Sequence, residues 1–426
     1  MSLALEGVRI LDLTFVWAGP TATMLLADLG AEVIKIESLA RWDMRGPLPP
    51  PVQDGEPRRW QGRGGFHTRN RNKLGITLDL GREAGRSLFL RLVRLSDAVI
   101  ENYSLRVMTN WGLDYPALQQ EKPDIILVSM PGFGASGPYK DQPSWGETLD
   151  ATSGIASRTG YRDGPPMRSA IAFGDPVGGF HGAIAAIAAL TYRRRTGQGQ
   201  HVVLSQHEAL TRFLGPEIVA AGITGKVPPG LGNRDSLRAP QGVYSCKGDD
   251  RWVAISVGSD QEWQKLCAAL GNANLAHDPR YATLEGRQQH HDDLDHWLEV
   301  WTQARETQEV VAVLRHHGVT VSPVATTNEV LDDPQLKTRG FFVPIDEAEG
   351  RFPHPGIAAQ LSATPGSVRR PAPAFGEHND YVFRTLLGLT EDELVRLKET
   401  GIIADEPPLP DQAQGRGIRP EVRRQT

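Results

Sequence analysis

The run Phe173-Gly174-Asp175-Pro176-Val177-Gly178-Gly179 sets an acid among glycines at the start of an apolar stretch. Two kinds of chemistry fit that pattern. An Asp at a helix start can cap it, accepting backbone N–H bonds at the positive end of the helix dipole. The same carboxylate can instead act as a nucleophile, with the glycines admitting a bulky electrophile and leaving N–H groups to stabilise an oxyanion. A second acid, Glu147 in SWGETLD, falls in a turn-like setting. It could orient Asp175, hold a substrate group, or stand as a solvated side chain. Arg69, Arg71 and Lys73 lie in TRNRNKLGITLDL, a basic loop before a strand, where phosphate contact and plain solvation are equally compatible. Trp17, in FVWAGP, is either core packing or the wall of a cleft. The pairs His290–His291 and His316–His317 lack metal-ligand spacing to nearby acids and read as surface helix. Cys246 and Cys267 form neither a CxxC pair nor part of a His cluster, and read as reduced thiols packed in a domain.

These residues need elements to hold them. Val8 to Leu13 is a short apolar strand, and Pro20 opens a helical pattern, TATMLLADLG, closed by Gly30. Ala31 to Ile36 is the next strand, completing a βαβ unit. The first loop is not GxGxxG, so the usual dinucleotide fingerprint is missing. Strands at Ile76–Leu80, Ala98–Glu101, Ile125–Ser129 and His201–Leu204 follow, with a helix over Glu83–Leu95. Alternating strands and helices imply an α/β fold with both faces of a parallel sheet covered. Ligands gather at the carboxyl ends of such strands, which draws attention to Trp17, Ser38, Asn102 and the Pro131–Pro138 loop. Ile171 to Tyr192, rich in Gly and Ala, predicts a central, closely packed helix. Residues 225–240 read as a linker, and residues 241–330 as a second unit of two strands around CKGDD followed by amphipathic helices, among them Gln261–Leu270 and Leu294–Thr302. From about 340 the chain reads as irregular and Pro-rich until a Thr-x-x-Glu cap opens a helix at Thr390. The final EPPLPDQAQGRGIRPEVRRQT reads as disordered.

The bulk properties exclude several classes. The 426 residues carry a net charge of −5 and a pI near 6.2, so no overall basic excess attracts nucleic acid. The length suggests about two domains. The start MSLALEGVRILDL has no secretory pattern, and the longest small-apolar run, Gly182–Leu190, is far short of a membrane span. A cytoplasmic enzyme is the expectation.

The motifs together resemble a known family. LDLTFVWAGPTATMLLADLGAEVIKIE, NRNKLGITLDL, ENY…WGLDY, SMPGFGASGPY, DGPP, GDPVGG, RRRTGQGQHV, APQGVYSCKGDDRWVAI and GLTEDEL occur in the order and spacing of the family III CoA-transferases. The resemblance implies a Rossmann-like large domain built from both chain ends (1–224 and 336–426), a smaller α+β domain at 225–335, and two chains interlocked as a homodimer. It implies that Asp175 attacks an acyl-CoA thioester, forms a mixed anhydride and then an aspartyl-CoA thioester, with Glu147 as the family's neighbouring acid. The CoA pocket would use Trp17, Ala18, Leu78, Asp79, Leu80, Gly81, Asn102, Tyr103 and Ser104. Coenzyme A enters as substrate; no tightly bound cofactor and no metal is implied.

Departures from the family pattern matter. Basic residues often found in relatives are replaced by Ser38, Asn110 and Ser144. Nearby Arg41, Arg106 and Lys140 are expected to supply the lost charge to the CoA phosphates. The glycine-rich lid of oxalate-type members is replaced by GLGNRDSLRAPQG, and Trp17 stands where they carry Gln, which points to an acid larger or less polar than oxalate. Two other readings share these motifs. An α-methylacyl-CoA racemase would need a His in the SWGETLD segment for two-base proton exchange, and none is there. A non-catalytic acyl-CoA binder would not need Asp175.

Overall fold

The computed structural model describes residues 2–46, 64–227, 230–347 and 350–408. Six strands, β1 (Arg9–Asp12), β2 (Glu32–Glu37), β3 (Leu74–Thr77), β4 (Ala98–Glu101), β5 (Ile126–Ser129) and β6 (His201–Val203), form one sheet in the order β3-β2-β1-β4-β5-β6. Every pairing is parallel. The order reverses between β1 and β4, so the loops leaving the carboxyl ends of these two strands diverge and open a crevice.

Side-chain alternation sorts the strands onto two faces. Ile10, Val33, Ile100, Ile126 and Val128 pack under the helices Ala18–Asp28 and Gly174–Thr196. Leu11, Ile34, Val99 and Leu127 pack against the helix Glu83–Arg94 and against Val382, Phe383 and Leu394 from the far end of the chain. Both faces are therefore dry, as an all-parallel sheet requires.

The helix Gly174–Thr196 lies against Ala18–Asp28 because its small residues leave room. A Cβ on Gly179 would meet the Ala18 carbonyl oxygen at 2.8 Å and Thr21 Cβ at 2.7 Å, and one on Gly182 would meet Met130 at 2.7 Å. These glycines serve helix packing, not the passage of a substrate.

By contact density the chain divides into two units. The larger comprises 1–155, 168–216 and 338–426; the smaller comprises 156–167 and 217–337. In the smaller unit β7 (Gln241–Ser245), β8 (Trp252–Ser256) and β9 (Thr320–Pro323) form an antiparallel sheet. Val253, Ile255, Trp263, Leu266, Leu298 and Leu314 form its core. The third strand, only four residues of TVSP, carries too little pattern to be read from sequence. Cys246 and Cys267 are free and buried. His291 is not a surface residue: it is buried, and its Nε2 accepts from the Gln241 N–H at 3.1 Å.

Three further expectations are corrected in the larger unit. The third strand runs Leu74–Thr77 instead of Ile76–Leu80; the Leu78 N–H still bonds the Glu37 carbonyl of β2 at 2.7 Å, but Asp79 to Gly81 leave the sheet, and the Asp79 N–H bonds the Ile402 carbonyl at 2.9 Å instead of a neighbouring strand. The stretch after 340 is not wholly irregular. β10 (Phe342–Glu347) and β11 (Gly350–Pro355) pair antiparallel, and their prolines are tolerated because a two-stranded ribbon is all edge. Glu147 lies in the first turn of a helix, Gly146–Thr152, not in a turn. The capped helix is found at Glu391–Glu399: the Thr390 N–H donates to Glu393 Oε2 at 2.7 Å, and the Glu393 N–H returns to Thr390 Oγ1 at 3.4 Å. Residues 409–426, most of the expected disordered tail, lie outside the described residues.

Candidate active site

The helix Gly174–Thr196 is capped by another residue than the acid in its first turn. Asp150, buried on the helix Gly146–Thr152, accepts from the Phe173 N–H at 3.1 Å through Oδ2 and from the Gly174 N–H at 2.9 Å through Oδ1. Two of the orphan N–H groups are thereby satisfied without Asp175. The Asp175 carboxylate is left to point elsewhere, and the backbone N–H of Ala18 favours its charged form.

Burial pushes the Asp175 carboxyl up to about 6; the Ala18 N–H and the Arg69 guanidinium pull it down, while the Glu147 and Asp150 carboxylates add to the rise. Glu147 and Arg168 form a loose, half-exposed ion pair at 3.6 Å. A glycine makes room for the carboxylate: a Cβ on Gly146 would sit 2.2 Å from Asp175 Oδ2. Neither Asp150 nor Gly146 could be singled out from sequence, since only the folded chain brings them to residue 175. The sequence expectation that Gly174 would leave its N–H free for an oxyanion is also corrected, because Asp150 takes it.

Ala18 is held in place by a buried ionic network beneath the loop after β1. Asp12 accepts from Lys73 Nζ at 2.9 Å and from Thr14 and Thr23. Lys35 Nζ pairs with Asp43 at 2.9 Å and donates to the Thr14 carbonyl at 2.9 Å. Asp43 Oδ1 then accepts from the Val16 N–H at 2.8 Å. Val16 has φ of 72°, a left-handed conformation that a β-branched residue adopts only when its surroundings dictate it. Asn102 clamps the same loop, donating to the Phe15 carbonyl and accepting from its N–H, both at 2.9 Å. Arg71 and Lys73 therefore meet neither phosphate nor solvent: Arg71 pairs with buried Asp28 at 2.7 Å, and Lys73 belongs to the network.

Asp175 lines a cavity of about 220 Å³ whose wall includes Phe15, Val16, Arg41, Asn102, Tyr103, Ser104, Lys140, Trp145, Gly146 and Gln206. A second cavity of about 150 Å³ is lined by Ser38, Arg41, Leu78, Asp79, Leu80, Gly81, Tyr103 and Trp111. Phe15, Arg41 and Tyr103 border both cavities. The Arg41 guanidinium stacks on both rings, 4.8 Å from the Phe15 centroid and 4.3 Å from that of Tyr103. Beneath them Glu101, at the end of β4, accepts from the Tyr103 N–H at 2.7 Å and is pushed up to about 7 by burial. Of the candidates from sequence, Arg41, Leu78 to Gly81, Asn102, Tyr103, Ser104 and Lys140 thus line one or both cavities. Arg106 does not: it is exposed and pairs with Asp141 at 3.2 Å. Trp17 stacks under Arg69, whose guanidinium carbon is 4.9 Å from the indole centroid. Among the described residues no group of three or more His, Cys, Asp or Glu is arranged to hold a metal ion.

An acid freed from capping and partly buried on a cavity wall, beside the loops that leave the switch point of a parallel sheet, has the surroundings in which a carboxylate can act as a nucleophile. Comparison with known proteins gives the class. A profile described as CoA-transferase family III matches residues 5–379, and the chain belongs to that family of enzymes. It is 34% identical over 401 residues, 94% of this chain and 98% of the relative, to succinyl-CoA–D-citramalate CoA-transferase of Chloroflexus aurantiacus. It is 33% identical to succinate–glutarate CoA-transferase of Agrobacterium fabrum, covering 90% of this chain and 95% of that one. To formyl-CoA:oxalate CoA-transferase of Rhodopseudomonas palustris it is 31% identical, covering 97% and 100%. Among solved structures, a CAIB/BAIF family protein from Brucella suis superposes with a TM-score of 0.82 at 33% identity, covering 91% of this chain and all of that one.

Proposed function

We propose that this enzyme moves CoA between carboxylic acids through covalent intermediates on Asp175. The observation that carries the reading is the Asp175 carboxylate itself: on a cavity wall, relieved of capping by Asp150, and given clearance by Gly146. The carboxylate attacks the thioester carbonyl of an acyl-CoA; the C–S bond breaks, CoA leaves as thiolate, and a mixed anhydride remains. The thiolate attacks the Asp175 carbonyl carbon, the donor acid leaves as carboxylate, and an aspartyl-CoA thioester stands in its place. An acceptor carboxylate reverses the two steps. Each step exchanges one activated acyl group for another, and none needs a proton. A site without a histidine base is therefore sufficient for transfer, whereas racemisation requires two bases. The Ala18 N–H that favours the charged carboxylate is suited to hold the oxyanion formed when the thiolate attacks that carbon. Glu147 is assigned to the same site through its charge near Asp175.

The two cavities that share Arg41 suit the CoA arm, with the switch-point loops around it. Arg41 and Lys140 are the cations assigned to CoA; Arg106, engaged with Asp141 at the surface, is the weaker member of that set. Arg41→Glu is expected to raise KM for acyl-CoA at least about tenfold, as loss of a charge-assisted contact should; an unchanged KM removes Arg41 from the pocket. The acid is assigned to a class larger or less polar than oxalate, because Trp17 presents no polar head to a small diacid. The interlocked homodimer of the family is assigned to this chain as well.

Trapping tests the reading. The enzyme is mixed with acyl-CoA donors, quenched with hydroxylamine, and the peptide containing Asp175 is analysed by mass spectrometry. A hydroxamate on Asp175 is expected, and Asp175→Ala should abolish transfer while retaining CoA binding. CoA binding without any adduct from any donor would overturn covalent transfer and favour the binder or racemase reading, the latter then tested by α-proton exchange in deuterated water.

A further inference from the structure

Arg69 is a guanidinium that the transfer chemistry described above does not use. It sits on the short helix Gly65–Asn70, half-buried, stacked on Trp17 at 4.9 Å. Its Nε donates to the Gly65 carbonyl within its own turn, and no carboxylate of the described residues pairs with it within ion-pair distance. Its partial burial is unfavourable for the cation, and Asp43 and Asp175 are the acids whose fields oppose that cost. Room for the guanidinium is built in: a Cβ on Gly65 would stand 2.1 Å from Arg69 Nη2. A planar cation stacked on the indole of the residue that precedes Ala18, and unpaired with any carboxylate of the described residues, is the arrangement that recognises a carboxylate.

We infer that Arg69, backed by Trp17, binds the second carboxylate of a dicarboxylic acyl group while the first is joined to Asp175 or to CoA. This rests on the covalent reading above and deepens it by naming the substrate class. The stack supplies both halves of such recognition. Charge-assisted hydrogen bonds from Nη1 and Nη2 hold the carboxylate, and the indole face covers the methylene chain leading to it. An acid with one carboxylate meets the indole and gains nothing from the guanidinium.

The test compares two donors of equal chain length, succinyl-CoA and butyryl-CoA, on the wild type, Arg69→Met and Arg69→Lys. The rate of adduct formation at Asp175 is followed by rapid quench and mass spectrometry. The wild type is expected to favour succinyl-CoA. At about pH 8, where Asp175 is ionised with or without the Arg69 charge, kcat/KM of Arg69→Met for succinyl-CoA should fall by at least about tenfold and that for butyryl-CoA by less than about threefold, while Arg69→Lys recovers part of the preference. Affinity for free CoA, measured on each variant, reports an intact fold and should not change. Equal falls for both donors, or a wild type that favours butyryl-CoA, would overturn the Arg69 assignment and leave covalent transfer standing. No adduct from either donor on the wild type would instead overturn the covalent reading itself.

Discussion

At the scale of single residues, Asp175 is the acid whose charge the fold opposes most usefully. Its carboxyl is raised from an ordinary 3.8 to about 6, first by burial. The folded chain therefore holds a proton there, between about pH 4 and pH 6, that the unfolded chain releases. Stability from this group is greatest at low pH and is lost as pH rises through 6. At pH 7 the ionised carboxylate costs about 3 kcal/mol. Asp175→Asn is expected to recover about that much in urea unfolding at pH 7, with the gain vanishing towards pH 4. The nucleophile must be ionised, so kcat/KM for acyl-CoA should fall below an apparent pKa near 6. A profile flat to pH 5 would show that Asp175 does not carry the charge-dependent step.

At the scale of elements, the carboxylate is free because the helix start is satisfied by a different acid. Asp150 reaches across 24 positions to the Gly174 N–H and 23 to that of Phe173. Asp150→Ala removes a buried cap and is expected to destabilise the fold by about 1–2 kcal/mol. It also removes one of the charges that raise the Asp175 carboxyl. The midpoint of the pH–rate profile should therefore move down in the same variant. A loss of stability with an unmoved midpoint would mean that Asp150 supports the helix without tuning the acid. The loop after β1 follows a similar logic: the buried Lys35–Asp43 pair holds Val16 at positive φ and so aims the Ala18 N–H. Buried pairs of this kind add little net stability, but they specify one geometry for a loop that would otherwise relax.

At the scale of the whole molecule, the far end of the chain finishes the sheet. β3 is an edge strand, and its outward N–H groups are not left open: Gly75 donates to His378 Nδ1 at 3.1 Å and Thr77 to Asn379 Oδ1 at 2.9 Å, some 300 positions away. Asn379 also donates to the Ala404 carbonyl and to Asp405 at 2.9 Å. This covers an edge that would otherwise pair with other chains. Asn379→Ala leaves the buried Thr77 N–H unsatisfied and is expected to cost about 1–3 kcal/mol in thermal or urea unfolding. It should also increase aggregation on heating, which light scattering would detect. Because Leu78 to Gly81 follow this strand directly, a rise in KM for acyl-CoA is expected alongside.

Local patterns determined a good part of this protein. The apolar runs and Pro/Gly punctuation of residues 8–36 specify the first βαβ unit, Thr390 and Glu393 specify a helix start, and the acid of GDPVGG stands out without any partner. Each depends on neighbours within a few positions, which is the range that periodicity and capping report. What remained was decided by contacts between distant segments. Whether Asp175 caps its helix or faces a cavity depends on Asp150, and whether it has clearance depends on Gly146. Whether Arg71 and Lys73 are solvated or buried depends on Asp28 and Asp12, and the role of Trp17 depends on Arg69 stacking over it. The limits of β3 differ from the expected Ile76–Leu80 because its first residues follow a basic loop, and the limits come from β2 on one side and residues 378–402 on the other. A sequence shows which side chains can carry charge or bury surface; which of them meet is settled only when the packed chain removes water from some pairs and leaves it around others.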